Sequence, residues 1–240
     1  MTVYLVGAGP GDPELFTLRG AALLGRAEVV VHDRLIAREL LALAPTEAEV
    51  IDVGKTPGQP TRQHDINQLL IDHGGRGRLV VRLKGGDPFL FGRGGEEAEA
   101  LRAAGVPYQV VPGVTSAIAA PAAAGIPVTH RGLSTSVTVV TGHVGDPSAS
   151  GGVDWEALGR AGGTLVVLMG MSERAVIAQA LVDSGRHPDT PAAVVHWGTT
   201  AHQRVVRTTL AGLAEVDLPA PSTIVIGPVA ALDLGSTNTS

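Results

Sequence analysis

A chain of 240 residues, 44% hydrophobic and 17% charged, has the composition of an ordered globular protein and the length for one large domain or two smaller ones. A net charge of -5 without a long run of either sign disfavours a general nucleic-acid surface, and the absence of cysteine excludes disulfides and thiolate chemistry. No basic segment precedes an apolar one at the N-terminus, and the small-apolar stretch 117–128 is broken by Pro121, Gly125 and Pro127. Neither a secretion signal nor a membrane span is read, so a cytoplasmic location is expected.

In chain order, short β-branched runs at 3–6, 29–31, 50–53, 79–83 and 109–111 predict strands. Between them, 18–25, 37–43, 66–73 and 96–104 have helical spacing or composition, and Ile66, Leu69 and Leu70 share one face. Near-continuous apolar strands alternating with helices imply a mainly parallel sheet covered on both sides. After Pro112-Gly113 the pattern changes. A small-residue helix is expected over 115–124, then strands at 137–140, 165–168, 193–196, 204–208 and 223–226, with helices at 155–160 and 175–184. The later strands follow one another closely enough for two to pair antiparallel. The reading is two α/β domains, 1–112 with a mainly parallel sheet and 113–240 with a mixed one, and a polar tail over 235–240 that is expected to fray.

Two glycine-rich turns carry chemistry. Gly7-Ala8-Gly9-Pro10-Gly11-Asp12-Pro13 follows the first strand, yet Asp12 stands where a dinucleotide fingerprint requires its third glycine, and Pro10 lacks an N–H. It reads either as a tight strand-to-helix turn or as a close approach to a ligand. Arg82-Leu83-Lys84-Gly85-Gly86-Asp87-Pro88-Phe89 lies at the carboxyl end of the fourth strand, where open α/β sheets bind ligands. Asp87 there can cap a turn or accept from a ribose or an amine. Eight histidines are scattered without an H-E-x-x-H pair or thiolate partners, so no metal is expected, and His143 reads as locally satisfied or facing substrate.

Four blocks in order, GAGPGDPELFTLRG, VRLKGGDPFLFGRGGEEAEAL, VVPGVTSAIAAPAAAGIPVTHRG and VTGH, closely resemble the tetrapyrrole methylases, and within them the uroporphyrinogen-III C-methyltransferases. The resemblance runs from about Val3 through Ala231. It implies two α/β domains with S-adenosylmethionine held in the cleft between them, a homodimer, and methylation of uroporphyrinogen III at two carbons, through precorrin-1 to precorrin-2, for siroheme or corrinoid synthesis. S-adenosylhomocysteine would be the co-product. By motif, the cofactor contacts would be Pro10, Gly85, Gly86, Asp87, Leu90, Thr115 and Ser116, joined by Met169 and Gly198. Asp33 and Lys55 match residues assigned in some family members as proton acceptor and donor.

A substrate bearing eight carboxylates requires locally positive surface on an acidic chain. Arg62, Arg93 and Arg131 are the preferred candidates, with His130, His64 and Lys55 beside them in sequence, although each alone also reads as a solvated surface charge. Thr56 stands where related sequences often carry Arg, which removes one cation from the expected substrate rim. No N-terminal extension for NAD-dependent oxidation or iron insertion precedes the first strand, so a stand-alone transferase is expected rather than a siroheme synthase fusion. A later corrin-ring methyltransferase and a non-catalytic S-adenosylmethionine or tetrapyrrole binder are the alternatives.

Overall fold

The computed structural model describes residues 2–54, 62–142 and 152–235, so Lys55, Thr56, His143 and residues 236–240 lie outside the described residues. The chain forms two compact units, Met1–Thr115 and Ser116–Ser240.

In the first unit, β1 (Val3–Gly7), β2 (Val29–His32), β3 (Glu49–Asp52), β4 (Val80–Lys84) and β5 (Tyr108–Val111) form one sheet in the order β3-β2-β4-β1-β5. Every pairing is parallel. All five carboxyl ends therefore lie along one edge. Side chains alternate between faces with period two. Val3, Leu5, Val29, Val31 and Val80 pack against α2 (Gln63–Gly75) and α3 (Gly94–Ala103). Val6, Val30, Val81 and Leu83 pack on the other face against Leu24 of α1 (Leu18–Leu24) and Leu40. Ile66 and Leu70, four residues apart, place the buried stripe of α2 on the sheet.

Local chemistry sets the helix starts. Asp12 accepts from the Glu14 N–H at 2.8 Å and opens a 3-10 turn at Pro13–Leu15, with proline where its missing N–H costs nothing. Thr17 caps α1 by accepting from the Gly20 N–H at 3.1 Å. The segment expected to be helical over 37–43 is instead a 3-10 helix, Arg38–Leu43. Ala37 offers no side-chain cap, and Pro45 follows the end closely, so a regular α-helix has neither a favourable start nor room to propagate.

The second unit has α4 (Ser116–Ala123), α5 (Trp155–Arg160) and α6 (Arg174–Asp183) around a sheet of β6 (Val137–Thr141), β7 (Thr164–Leu168), β8 (Pro191–His196), β9 (Arg204–Thr209) and β10 (Ser222–Ile226). The strand order is β6-β7-β10-β8-β9, and only β6 and β7 pair in parallel. Because β10 runs against both β7 and β8, those two strands point the same way, as does β6. Leu165, Val167, Val194 and Ile224 face α5 and α6, whereas Ala193, Val195 and Val225 face Ala120 and Ala124 at the α4 side. No helix among the described residues is long and apolar enough to cross a membrane.

Candidate active site

The carboxyl edge of the first sheet is closed by main chain packed directly on main chain. Gly7 ends β1, Gly86 follows β4 and Gly113 follows β5. A side chain on Gly113 would run into the Gly86 carbonyl and the Gly7 Cα, and one on Gly7 would strike Gly113 and the same carbonyl. Ladder-like bonds tie the first glycine-rich turn to the second: the Ala8 N–H donates to the Lys84 carbonyl at 2.7 Å, and Gly9 and Gly86 exchange bonds of 3.3 and 2.7 Å. Gly9 and Gly86 have positive φ, of 82° and 63°, which glycine adopts without strain. Pro10 and Gly85 flank this bridge in the chain, so the structure brings Pro10, Gly85 and Gly86 together. Asp87 fastens the arrangement. Its Oδ1 accepts from the Phe89 N–H at 2.8 Å and its Oδ2 from the Gly113 N–H at 3.0 Å. Leu90 lies in the same turn, its N–H bonded to the Asp87 carbonyl, and Thr115 follows Gly113 by two residues.

Period two puts charge where the core would otherwise continue. In β4, Arg82 and Lys84 follow Val80 on the α3-facing side, and Asp33 follows Val31 in the same phase at the end of β2. Arg82 is 2% exposed, Lys84 2% and Glu97 of α3 0%. Glu97 Oε1 accepts from Arg82 Nε at 3.0 Å and Lys84 Nζ at 2.9 Å. Arg82 Nη2 reaches Asp33 Oδ1 at 2.5 Å, and Lys84 Nζ stands 3.9 Å from Asp33 Oδ2. Two cations and two carboxylates thus balance, with only Asp33 reaching solvent. Burial, then the neighbouring Arg82 charge, pushes the Lys84 ammonium below the ordinary lysine value. Among the described residues, Asp33 pairs with Arg82 and, at longer range, with Lys84. This cluster went unremarked in the sequence, although charges at alternate positions of an apolar strand are its signal.

The candidate substrate cations are separate. Arg62 and His64 are exposed at the head of α2. Arg93 stands at the head of α3 and is held by Glu96 in a two-pronged pair, Nε–Oε1 2.9 Å and Nη2–Oε2 2.7 Å. Both helices follow strands of a parallel sheet, so both heads lie at its carboxyl edge. In the second unit, His130 and Arg131 are exposed in a turn closed by the His130–Ser134 bridge.

Ser116 opens α4, Met169 directly follows β7 and Gly198 follows β8. Gly198 is packed so closely on α4 that a side chain would meet Ala120. The Met169 side chain is exposed. Five non-glycine residues among those described have positive φ: Phe91, Arg93, Met169, Trp197 and Thr199. All lie in the connections that follow β4, β7 or β8. Such conformations persist where the surroundings over-determine them, and they concentrate at ligand-binding loops.

The family model for Tetrapyrrole (Corrin/Porphyrin) Methylases matches residues 2–214. The chain belongs to this family. The methylase is 50% identical over 232 residues to an S-adenosyl-L-methionine-dependent uroporphyrinogen III methyltransferase of Methanosarcina barkeri, covering 95% of this chain and 91% of the relative. It is 51% identical over 235 residues to a siroheme synthase of Chromobacterium violaceum, covering 96% of this chain but 50% of that protein. A solved uroporphyrin-III C-methyl transferase from Thermus thermophilus, complexed with S-adenyl homocysteine, superposes with a TM-score of 0.83 at 44% identity, over 95% of this chain and 98% of the other.

The chemistry of the Asp87 turn in the first unit fits the polar groups of S-adenosylmethionine. Each Asp87 oxygen keeps a lone pair beyond its amide bond, suited to an amine or ribose hydroxyl. Gly85 brings bare main chain to the strand edge.

Proposed function

We propose that this methylase transfers methyl groups from S-adenosylmethionine to two carbons of uroporphyrinogen III, forming precorrin-2 through precorrin-1. The observation that carries the reading is 50% identity, along nearly its whole length, to a relative named for that activity. Pro10, Gly85, Gly86, Asp87, Leu90 and Thr115 of the first unit, and Ser116, Met169 and Gly198 of the second, are the proposed cofactor contacts. When bound, S-adenosylmethionine supplies an electrophilic methyl on a sulfonium and departs as S-adenosylhomocysteine.

The chain's own work is binding, alignment and proton removal. Arg62, Arg93, His130 and Arg131 would face the acidic rim of the tetrapyrrole; Arg93, already paired with Glu96, can still donate through the guanidinium N–H groups that pair leaves over. Alignment of the reacting carbon and methyl supplies a large part of the acceleration in such transfers. Methylation of a fully substituted pyrrole carbon leaves that carbon quaternary and the ring system cationic, so the ring system must then lose a proton from another of its atoms. Asp33 is the proposed acceptor: it is the exposed end of a buried charge cluster at the carboxyl edge, and Arg82 fixes its orientation. Lys55, the proposed donor, lies outside the described residues. The reading also includes a homodimer in the cytoplasm that binds neither nucleic acid nor membrane. The homodimer rests on the family resemblance and the rest on the charge and hydropathy of the sequence; sedimentation tests the dimer.

A panel of reduced tetrapyrroles, compared by kcat/KM under anaerobic conditions, tests the substrate. Preference for uroporphyrinogen III supports the assignment; preference for a corrin-ring intermediate overturns it.

A further inference from the structure

Behind Asp33 the protein has sunk three charges whose number is unusual for a core position. Glu97 is fully buried, yet only its Oε1 is bonded, to Arg82, Lys84 and, at 3.4 Å, the Gln63 amide. Its Oε2 is buried and has no hydrogen-bond partner among the described residues. A carboxylate kept in this state is costly as a packing element, since hydrophobic residues of similar volume hold a helix on a sheet as well or better. The cluster ends in Asp33, which alone among its carboxylates reaches solvent. We infer that Glu97 is a positioning residue for the methyl-transfer reaction, acting on Asp33 through Arg82 and Lys84. This rests on the reading of Asp33 as the proton acceptor.

Arg82 and Lys84 stand 2.5 and 3.9 Å from the Asp33 carboxylate, and the attraction of two cations favours its charged form over its protonated one. Glu97 cancels about one of those two charges from behind while leaving the Arg82–Asp33 hydrogen bond intact. Asp33 is thereby oriented by a guanidinium without carrying the full field of two cations. Among the described residues, the titratable groups around Asp33 are Arg82 and Lys84 from β4, Glu97 and the more distant Glu96 from α3, Asp52 from the end of β3, and His32 and Arg34 on either side of it. The His32 ring bonds to the Asp33 carbonyl through Nδ1 at 3.0 Å, so it contacts the backbone and not the carboxylate.

The test is the acid limb of the pH–kcat/KM profile, measured anaerobically with uroporphyrinogen III and S-adenosylmethionine. Glu97→Gln keeps the shape and removes the charge, so the acid limb should move to lower pH, by about one unit for a charge one guanidinium away at intermediate dielectric. Lys84→Met should move it to higher pH by at least as much, because Lys84 Nζ stands only 3.9 Å from the carboxylate, and Lys84→Arg should restore it. Opposite shifts from two neighbouring buried substitutions are not produced by loss of packing. Binding of S-adenosylhomocysteine checks that each variant is folded, and Lys84→Met carries the test alone if Glu97→Gln does not fold. Asp33→Asn separates the two levels. Wild-type turnover in Asp33→Asn overturns the proton-acceptor reading and this inference with it. An impaired Asp33→Asn together with unmoved acid limbs in the other variants overturns the inference alone.

Discussion

Removing the Asp87 carboxylate should loosen the carboxyl edge of the first sheet before it affects anything else. Asp87 holds the Phe89 and Gly113 amides at 2.8 and 3.0 Å, and the second bond spans 26 residues, joining the loop after β4 to the one after β5. A hydrogen bond to a charged acceptor contributes about 1.5–3 kcal/mol. The site is half-buried, so water replaces part of what two such bonds supply, and a net loss of about 2–3 kcal/mol is expected for Asp87→Ala. Asp87→Asn keeps one acceptor oxygen and should lose about half of that. The loss is local, so amide hydrogen exchange reads it most directly. Protection at Phe89 and Gly113 should fall roughly 30- to 150-fold in Asp87→Ala, with strand amides of β1 little changed. Affinity for S-adenosylhomocysteine, measured by calorimetry, should fall in parallel. Unchanged protection at Gly113 would refute the claim that Asp87 ties the two loops together. A large affinity loss with protection intact would instead make Asp87 a ligand contact and nothing more.

Gly113→Ala forces a methyl group into the Gly86 carbonyl and the Gly7 Cα, and backbone atoms cannot swing aside as a side chain would. It should destabilise the first unit by about 1–3 kcal/mol in urea unfolding and weaken cofactor binding; a wild-type midpoint would show that the glycine contact is slack. Arg93→Ala removes an exposed pair with Glu96, so stability should change by less than about 1 kcal/mol while KM for the tetrapyrrole rises. Unchanged KM removes Arg93 from the substrate site. Hydrogen bonding from Arg78 holds Glu49 below the ordinary glutamate value of 4.5, so the unfolded chain takes up this proton first as pH falls. That stabilisation is complete above the unfolded-state value and drains away as pH drops through the lowered folded one. Arg78→Met should flatten this acid-side loss in denaturation curves taken across pH, and identical curves would remove the pair from the acid response.

Much of the fold is written in period. Runs such as Val29-Val30-Val31 carry apolar side chains to both faces, which is why they belong to a sheet covered on both sides. Helix boundaries were less legible. α3 begins at Gly94, two residues before the start that spacing predicts, because the turn into it is made by Arg93 at φ 58°, a conformation that no propensity for arginine announces. The glycine blocks were visible as blocks, but the contact of Gly7, Gly86 and Gly113 depends on β4 and β5 flanking β1, which sequence order does not dictate. The charge cluster was the instructive omission. Asp33, Arg82 and Lys84 each fall in phase with apolar neighbours of their own strand, yet Glu97 joins them only once α3 is laid across the sheet.

The most direct measurement is anaerobic incubation of the purified methylase with uroporphyrinogen III and methyl-labelled S-adenosylmethionine, following the label into the tetrapyrrole by mass. The account predicts a product carrying two labelled methyl groups, with a singly labelled species appearing first. A protein that binds S-adenosylhomocysteine but leaves uroporphyrinogen III unlabelled would contradict it.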